Sequence, residues 1–330
     1  MEDKKLLDDY SRNLNYLRVS ITDRCNLRCM YCEPRRLSPK LSHADVLSYE
    51  EILRLIEIGV DIGINKVRVT GGDPLVRKGV YDFLDSLGKI EGIVDTSLTT
   101  NGVLLFDNLQ RIKAAGIKRI NVSLDTLDRQ KFETITGRDQ FAKVWQGIMG
   151  AHEAGFGPIK LNTVVLNGIN DDEVVDLARL SFTYPFHIRF IEYMPIGNPD
   201  FDGGHHMLAP EIKEKISVLG KLIPVGRQTN DGPSKRYKFE GSLGEIGFIR
   251  PLSRHFCGEC NRLRITASGY LRPCLLSDYQ KDLKTPLRSG CSDSELADIF
   301  FDAVHNKPGK HDINDRNSNG VSDIMSSIGG

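Results

Sequence analysis

Between Tyr16 and Tyr193, six short β-rich runs alternate with amphipathic segments. They are YLRVSIT (16–22), KVRVT (66–70), DTSLTTN (95–101), RINVSLD (119–125), IKLNTVV (159–165) and HIRFIEY (187–193). Between them, SYEEILRLIEIGVDIG (48–63), LQRIKAAG (109–116) and DDEVVDLARLSF (171–182) carry apolar residues at helical spacing. Ser48 stands three positions before Glu51, the spacing of a capping box. Six such repeats demand a parallel sheet, because each crossover helix returns the chain to the same end. The expected fold over residues 1–195 is α/β, the sheet either open and doubly wound or curled into an incomplete (β/α)6 barrel of the TIM type, the second being the one expected here.

After Pro195 the rhythm breaks. GNPDFDGGHH (197–206) is a Gly/Asp-rich connection, and a short helix is expected around 209–219. Strand-like pieces follow, KLIPV, KRYKF, EIGFI, RLRIT and YLRPC, then a helix from Ser292 to about Asn306, with Glu295 completing a second capping box. This reads as a smaller C-terminal α+β domain, 196–330. GKHDINDRNSNG reads as a polar, flexible tail before the closing VSDIMSSIGG.

In parallel βα folds the C-terminal strand ends carry the chemistry. Here the unusual residues gather there. The first strand runs into a cysteine loop, the second into TGGDP (70–74), the third into TTNG (99–102) and the fourth into SLD (123–125). The fifth carries Lys160 and Asn162, and the sixth ends in EYM (192–194). Singly, GGDP reads as a loop whose glycines allow positive φ, and TTNG as a turn.

The seven cysteines sharpen this. Lys+Arg and Asp+Glu are both 44, so net charge is zero, which argues against a nucleic-acid partner. MEDKKLLDDY lacks the apolar core of a signal peptide, and no apolar run approaches the ~20 residues that span a bilayer. A cytoplasmic chain without membrane contact is expected, and in reducing cytosol clustered cysteines read as metal-binding or catalytic. Cys25, Cys29 and Cys32 are spaced C-x3-C-x2-C, Cys257, Cys260 and Cys274 C-x2-C-x13-C, and Cys291 stands apart as an indifferent or buried thiol. A structural zinc site wants four ligands, and a C-x2-C redox pair leaves Cys25 unused. A [4Fe–4S] cluster on three thiolates leaves one iron open to a small molecule. For the first triplet, zinc and iron–sulfur both stay open. The second reads as a zinc ribbon completed by His255 or Cys291, or as another three-thiolate cluster. Arg262 and Arg264, two apart on a strand, share a face suited to an anion, or else make a solvated edge. With no P-loop present, any phosphates must be held by side chains.

C-x3-C-x2-C with Tyr31 before its third cysteine resembles the radical S-adenosylmethionine (SAM) superfamily, as does GGDP, with Asp73 where that superfamily usually has glutamate. Together with YLRVSITDRCNLRCMYC, RVTGGDPLVR, TTNG, NVSLDTLD, RFIEYMPIGN, GFIRPLSRHFCGECNRLRITASGYLRPCL and the final IGG, the chain resembles the molybdenum cofactor biosynthesis protein A family, the GTP 3′,8-cyclases, from about residue 12 to the end. The resemblance implies two [4Fe–4S] clusters, one on Cys25, Cys29 and Cys32 and one on Cys257, Cys260 and Cys274. It implies that Tyr31, Gly72, Ser123 and Met194 contact SAM, and that Arg18, Arg68, Thr99, Lys160, Arg262 and Arg264, with Arg189 as a further anion contact, bind GTP. Catalytic parts are implied for Arg262, Arg264, Gly329 and Gly330, the glycine tail reaching into the site. The implied reaction is attack of a substrate C3′ radical on C8 of guanine. The implied partners are a flavodoxin- or ferredoxin-type electron donor and a downstream cyclic pyranopterin synthase, and a homodimer is compatible. Two rivals stand: another twin-cluster radical SAM enzyme, such as a peptide-modifying one, and a non-enzymatic zinc module.

Overall fold

The computed structural model describes residues 5–32, 39–196, 201, 204–226, 232–311, 321 and 323–329. Each β-rich run forms a strand: β1 (Tyr16–Ser20), β2 (Lys66–Thr70), β3 (Asp95–Thr100), β4 (Arg119–Ser123), β5 (Lys160–Val165) and β6 (His187–Glu192). They pair in sequential order and all in parallel. Leu17, Val19, Val67, Val69, Leu98, Ile120, Val122 and Leu161 alternate along them and are buried against the helices. The intervening positions, Arg18, Arg68, Thr99 and Asn162 among them, therefore face the other way, into the barrel.

The helices follow from the same patterning. Helix α1 (Tyr49–Asp61) begins at Ser48, whose Oγ accepts from Glu51 N (3.1 Å) while Glu51 Oε2 accepts from Ser48 N (2.6 Å). It buries Ile52, Leu55 and Ile56, each worth about 1.5–3 kcal/mol of transfer free energy. Helices α2 (Val80–Gly88), α3 (Leu109–Ala114), α4 (Arg129–Thr136), α5 (Phe141–Glu153) and α6 (Val174–Thr183) continue the pattern, two of them crossing from β4 to β5.

The C-terminal third joins the same sheet. After α7 (Ala209–Ile216) come β7 (Leu222–Pro224), β8 (Lys235–Phe239), β9 (Glu245–Ile249), β10 (Arg262–Ile265), β11 (Tyr270–Arg272) and β12 (Lys281–Asp282). The sheet order is β12-β11-β10-β1-β2-β3-β4-β5-β6-β9-β8-β7. Both β9, beside β6, and β10, beside β1, are parallel to their neighbours. Local pattern announced strands here but not their partners. Arg262 and Arg264 thus sit on an internal strand between β1 and β11, not on a solvated edge. Helices α8 (Lys284–Arg288), α9 (Asp293–His305), capped by Ser292 and Glu295 as expected, and α10 (Met325–Ile328) complete the chain. Much of the Gly/Asp-rich connection and of the polar tail lies outside the described residues. Among those described, no helix is long and apolar enough to cross a membrane.

Candidate active site

The barrel interior is a cavity of roughly 300 Å³. All six clustered cysteines line it, and so do Tyr31, Gly72, Ser123 and Met194. Arg18, Arg68, Thr99, Lys160, Arg189, Arg262 and Arg264 line it as well. The loop Cys25–Cys32 follows β1, whereas Cys257 and Cys260 precede β10 and Cys274 follows its antiparallel partner β11. Because β10 runs parallel to β1, the two triplets close opposite ends of one cavity. A five-residue strand at ~3.3 Å per residue spans roughly 13–17 Å between those two ends of the sheet.

The first triplet is held by its neighbours' backbones. Arg28 N donates to Thr136 O (2.8 Å) and Met30 N to Ile135 O (2.9 Å), tying the loop to the end of α4. Leu27 N (3.4 Å) and Asn101 Nδ2 (3.5 Å) both point at Cys25 Sγ. The Tyr31 hydroxyl donates to Asp125 Oδ2 (2.6 Å), while Asp125 Oδ1 accepts from Val164 N (2.9 Å). Burial raises Asp125 to about 6 despite these bonds.

Gly71 and Gly72 are glycines for a reason the sequence did not give: neither has positive φ. A Cβ on Gly72 would stand 2.4 Å from Arg24 O, and Gly72 N donates to Thr22 O (2.7 Å), so the TGGDP turn lies flat on the chain entering the cysteine loop. Asp73 locks that turn in place. Its Oδ1 accepts from Leu75 N (3.0 Å) and its Oδ2 from Thr100 Oγ1 (2.8 Å) and Asn101 N (2.6 Å), and burial raises it to about 6.

The second triplet sits among cations. Arg262 Nη2 is 3.5 Å from Cys260 Sγ, and Arg262 lies over the Phe256 ring at 4.8 Å. Arg12 Nη1 donates to Cys257 O (2.7 Å), and Lys307 Nζ donates to Arg262 O (2.9 Å). Burial would raise the Cys260 thiol, but Arg262 and Lys307 outweigh it and hold it at about 6. Three thiols with N–H groups aimed at sulfur, at each end, form a donor set that suits thiolate-held clusters. Among the described residues no group of three or more His, Cys, Asp or Glu side chains forms a single-ion site. His255 Nδ1 instead engages Pro251 O (2.8 Å), and Cys291 does not line the cavity.

Between the triplets the sheet register stacks positive charge. Arg264, Arg18 and Arg68 are consecutive partners across β10, β1 and β2, with Arg262, Tyr16 and Lys66 one step below. Burial, then repulsion from Arg264 and Arg68, brings Arg18 well below its ordinary value, and burial with Arg262 brings Arg264 to about 9. Three carboxylates line the cavity, and each is already engaged. Asp95 takes Arg119 through both oxygens, Asp125 takes Tyr31 and Val164, and Glu192 accepts from Ala209 N, Leu252 N and Ser253 N (each 2.9 Å). Thr99 Oγ1, Asn162 Oδ1 and the Tyr16 hydroxyl are buried without a hydrogen-bond partner among the described residues. Such a cavity is suited to an extended polyanion bearing further polar groups.

The chain's last described residue reaches this layer. Arg264 Nη1 donates to Gly329 O (3.0 Å), and a Cβ on Gly329 would stand 2.7 Å from Ser20 Cβ. Gly330 lies outside the described residues. Sequence reading did not single out Lys66, Asp95 or Arg119 for the site, and reached Asp125 only as part of SLD at the fourth strand end. The signal for Lys66 was its position two before Arg68, in phase with the inward face.

A model of the radical SAM superfamily matches residues 19–181, and one named Molybdenum Cofactor Synthesis C matches residues 186–313. The chain is 47% identical to the GTP 3′,8-cyclase of Heliobacterium modesticaldum over 98% of its own length and 100% of that protein. It is also 47% identical to the GTP 3′,8-cyclase of Moorella thermoacetica, over 98% of its length and 99% of that protein. Among solved structures, Streptococcus suis SuiB bound to S-adenosylmethionine aligns with a TM-score of 0.62 at 13% identity, over 87% of this chain. The chain spans 65% of SuiB's length, and a likeness at that identity shows the fold alone. Radical SAM proteins use a [4Fe–4S] cluster and S-adenosylmethionine. On its full-length relatives, the chain belongs to the GTP 3′,8-cyclase family of the radical SAM superfamily.

Proposed function

We propose that this chain cyclises GTP to (8S)-3′,8-cyclo-7,8-dihydroguanosine 5′-triphosphate, the first step of molybdenum cofactor synthesis. The observation that carries this reading is the in-register arginine row, Arg264–Arg18–Arg68, held between two cysteine triplets at opposite ends of one cavity. Cys25, Cys29 and Cys32 would hold the cluster that chelates SAM, and Cys257, Cys260 and Cys274 a second cluster beside the guanine. When bound, the reduced first cluster and SAM supply a 5′-deoxyadenosyl radical able to take the 3′ hydrogen of the ribose.

This chain's residues do the rest by position. The TGGDP turn and Tyr31 present backbone groups to SAM, with Ser123 and Met194 on the same rim. A triphosphate of about four negative charges would offset the repulsion that Arg264 and Arg68 exert on Arg18, which favours its binding there. Lys160, Arg189 and Thr99 extend from the adjoining strands, and Arg262 stands beside Cys260. Gly329, whose carbonyl accepts from Arg264, ties the end of the chain to the arginine row. A flavodoxin- or ferredoxin-type protein would supply two electrons per turnover, one for SAM cleavage and one that, with a proton, quenches the cyclised nucleotide radical, and a cyclic pyranopterin synthase would consume the product, in the cytoplasm.

Anaerobic turnover of the reconstituted, reduced protein with SAM and GTP tests the reading. About eight iron and eight sulfide per chain, with 5′-deoxyadenosine released only when GTP is present, is the expected result. Zinc in place of iron, or SAM cleavage indifferent to GTP, would overturn it.

A further inference from the structure

Tyr16 opens β1 with its side chain on the cavity face, in register with Arg262 on one side and Lys66 on the other. The residue is 9% exposed, and its hydroxyl is buried without a hydrogen-bond partner among the described residues. Its backbone is fixed, Tyr16 N donating to Asn261 O (3.1 Å), and the Arg68 guanidinium lies 5.5 Å from its ring centroid. A buried hydroxyl without a partner destabilises a protein, and phenylalanine would fill the same space without that cost.

The surroundings explain why the hydroxyl is left over. The neighbouring charges, Arg68, Arg18, Arg262 and Arg119, are donors only, so none can accept its proton. The nearby carboxylate, Asp95 beside Lys66, is committed to Arg119. Burial works to raise the phenol, yet these arginines together bring it below its ordinary value, which makes it a stronger donor. The missing partner is an acceptor that arrives with the ligand.

We propose that Tyr16 is a further substrate-binding residue, its phenol donating to an acceptor atom of the nucleotide between the arginine row and Cys257, Cys260 and Cys274. This rests on the nucleotide reading above. It predicts opposite signs for one substitution: Tyr16→Phe removes a group idle in the free protein and needed in the complex.

The test compares cluster-loaded wild type and Tyr16→Phe anaerobically by calorimetric titration with GTP and with SAM, and by thermal unfolding without nucleotide. The expected result is GTP affinity weakened about tenfold, SAM affinity unchanged, and an unfolding midpoint equal to or above wild type. Unaltered GTP affinity would overturn the proposal. So would a lowered midpoint with both ligands weakened together, the mark of a residue that only supports the fold. Wild type that fails to bind GTP would instead sink the nucleotide reading, and this proposal with it.

Discussion

The two cysteine triplets offer the same donor atoms in different electrical surroundings. Around the first, burial, then Cys32, Asp125 and Cys25, push the Cys29 thiol well above its ordinary value. Around the second, Arg262 and Lys307 override burial and hold Cys260 at about 6, while burial still raises Cys257. One loop is placed by backbone tethers and a buried carboxylate, the other by cations. The difference teaches that the ends of the cavity are specialised before any ligand arrives: the first is built for shape, the second for charge.

The sharpest way to break the comparison is to remove one cysteine from each end. Cys25→Ser should reduce SAM cleavage to background. Cys260→Ser should still yield 5′-deoxyadenosine while forming no cyclised nucleotide, with about four irons per chain in each variant. Identical loss of SAM cleavage in both would erase the distinction.

A second contrast is in proton linkage. Asp73, in the scaffold of the first end, is raised to about 6, so the folded state binds its proton more tightly than the unfolded chain. Its contribution therefore favours folding at low pH and is lost as pH rises from about 4 through about 6, by about 3 kcal/mol in all. Anaerobic urea unfolding of wild type and Asp73→Asn across pH 4–7 should show the gap between them move by that amount in the variant's favour. A pH-independent gap would contradict the assignment.

The Gly329 carbonyl accepts from Arg264, and a Cβ added to Gly329 would stand 2.7 Å from Ser20 Cβ and 3.1 Å from Thr70 Cγ2. Its φ is +69, so Gly329→Ala adds backbone strain to a clash. Cyclisation should fall about 100-fold, equivalent to about 2.7 kcal/mol of barrier, with iron content intact; product formation at the wild-type rate would show the contact to be idle. The smallest effect is expected at the tether. Asp125→Asn weakens its grip on Tyr31 and should raise KM for SAM roughly tenfold, with GTP affinity unchanged. Equal changes for both ligands would mean that Asp125 supports the whole barrel instead.

Much of this was legible in the sequence because parallel strands wear their periodicity openly. Leu17 and Val19 against Arg18, or Val67 and Val69 against Arg68, announce an apolar face and a polar one. The cysteine triplets stood out by their spacing, although spacing alone left zinc and iron–sulfur both open. The adjacency of β10 and β1 was not, since parallel pairing leaves no local mark and the partners lie some 245 residues apart. Nor was the close contact at Gly72, which depends on where Arg24 O comes to rest. Tyr16 was quoted within a motif yet passed over, because a tyrosine on a strand is ordinary until its hydroxyl is found without company.

The position of β10 also bears on how the molecule is made. Until residues 262–265 are in place, β1 has no partner on that side and exposes a row of unsatisfied backbone groups. A ribosome must therefore deliver about four fifths of the chain before the barrel's first strand is flanked on both sides. Non-local parallel pairing of this kind is slow and leaves the nascent chain open to aggregation. Assembly of the whole cavity is thus a late event, coming after synthesis is nearly complete and not alongside it.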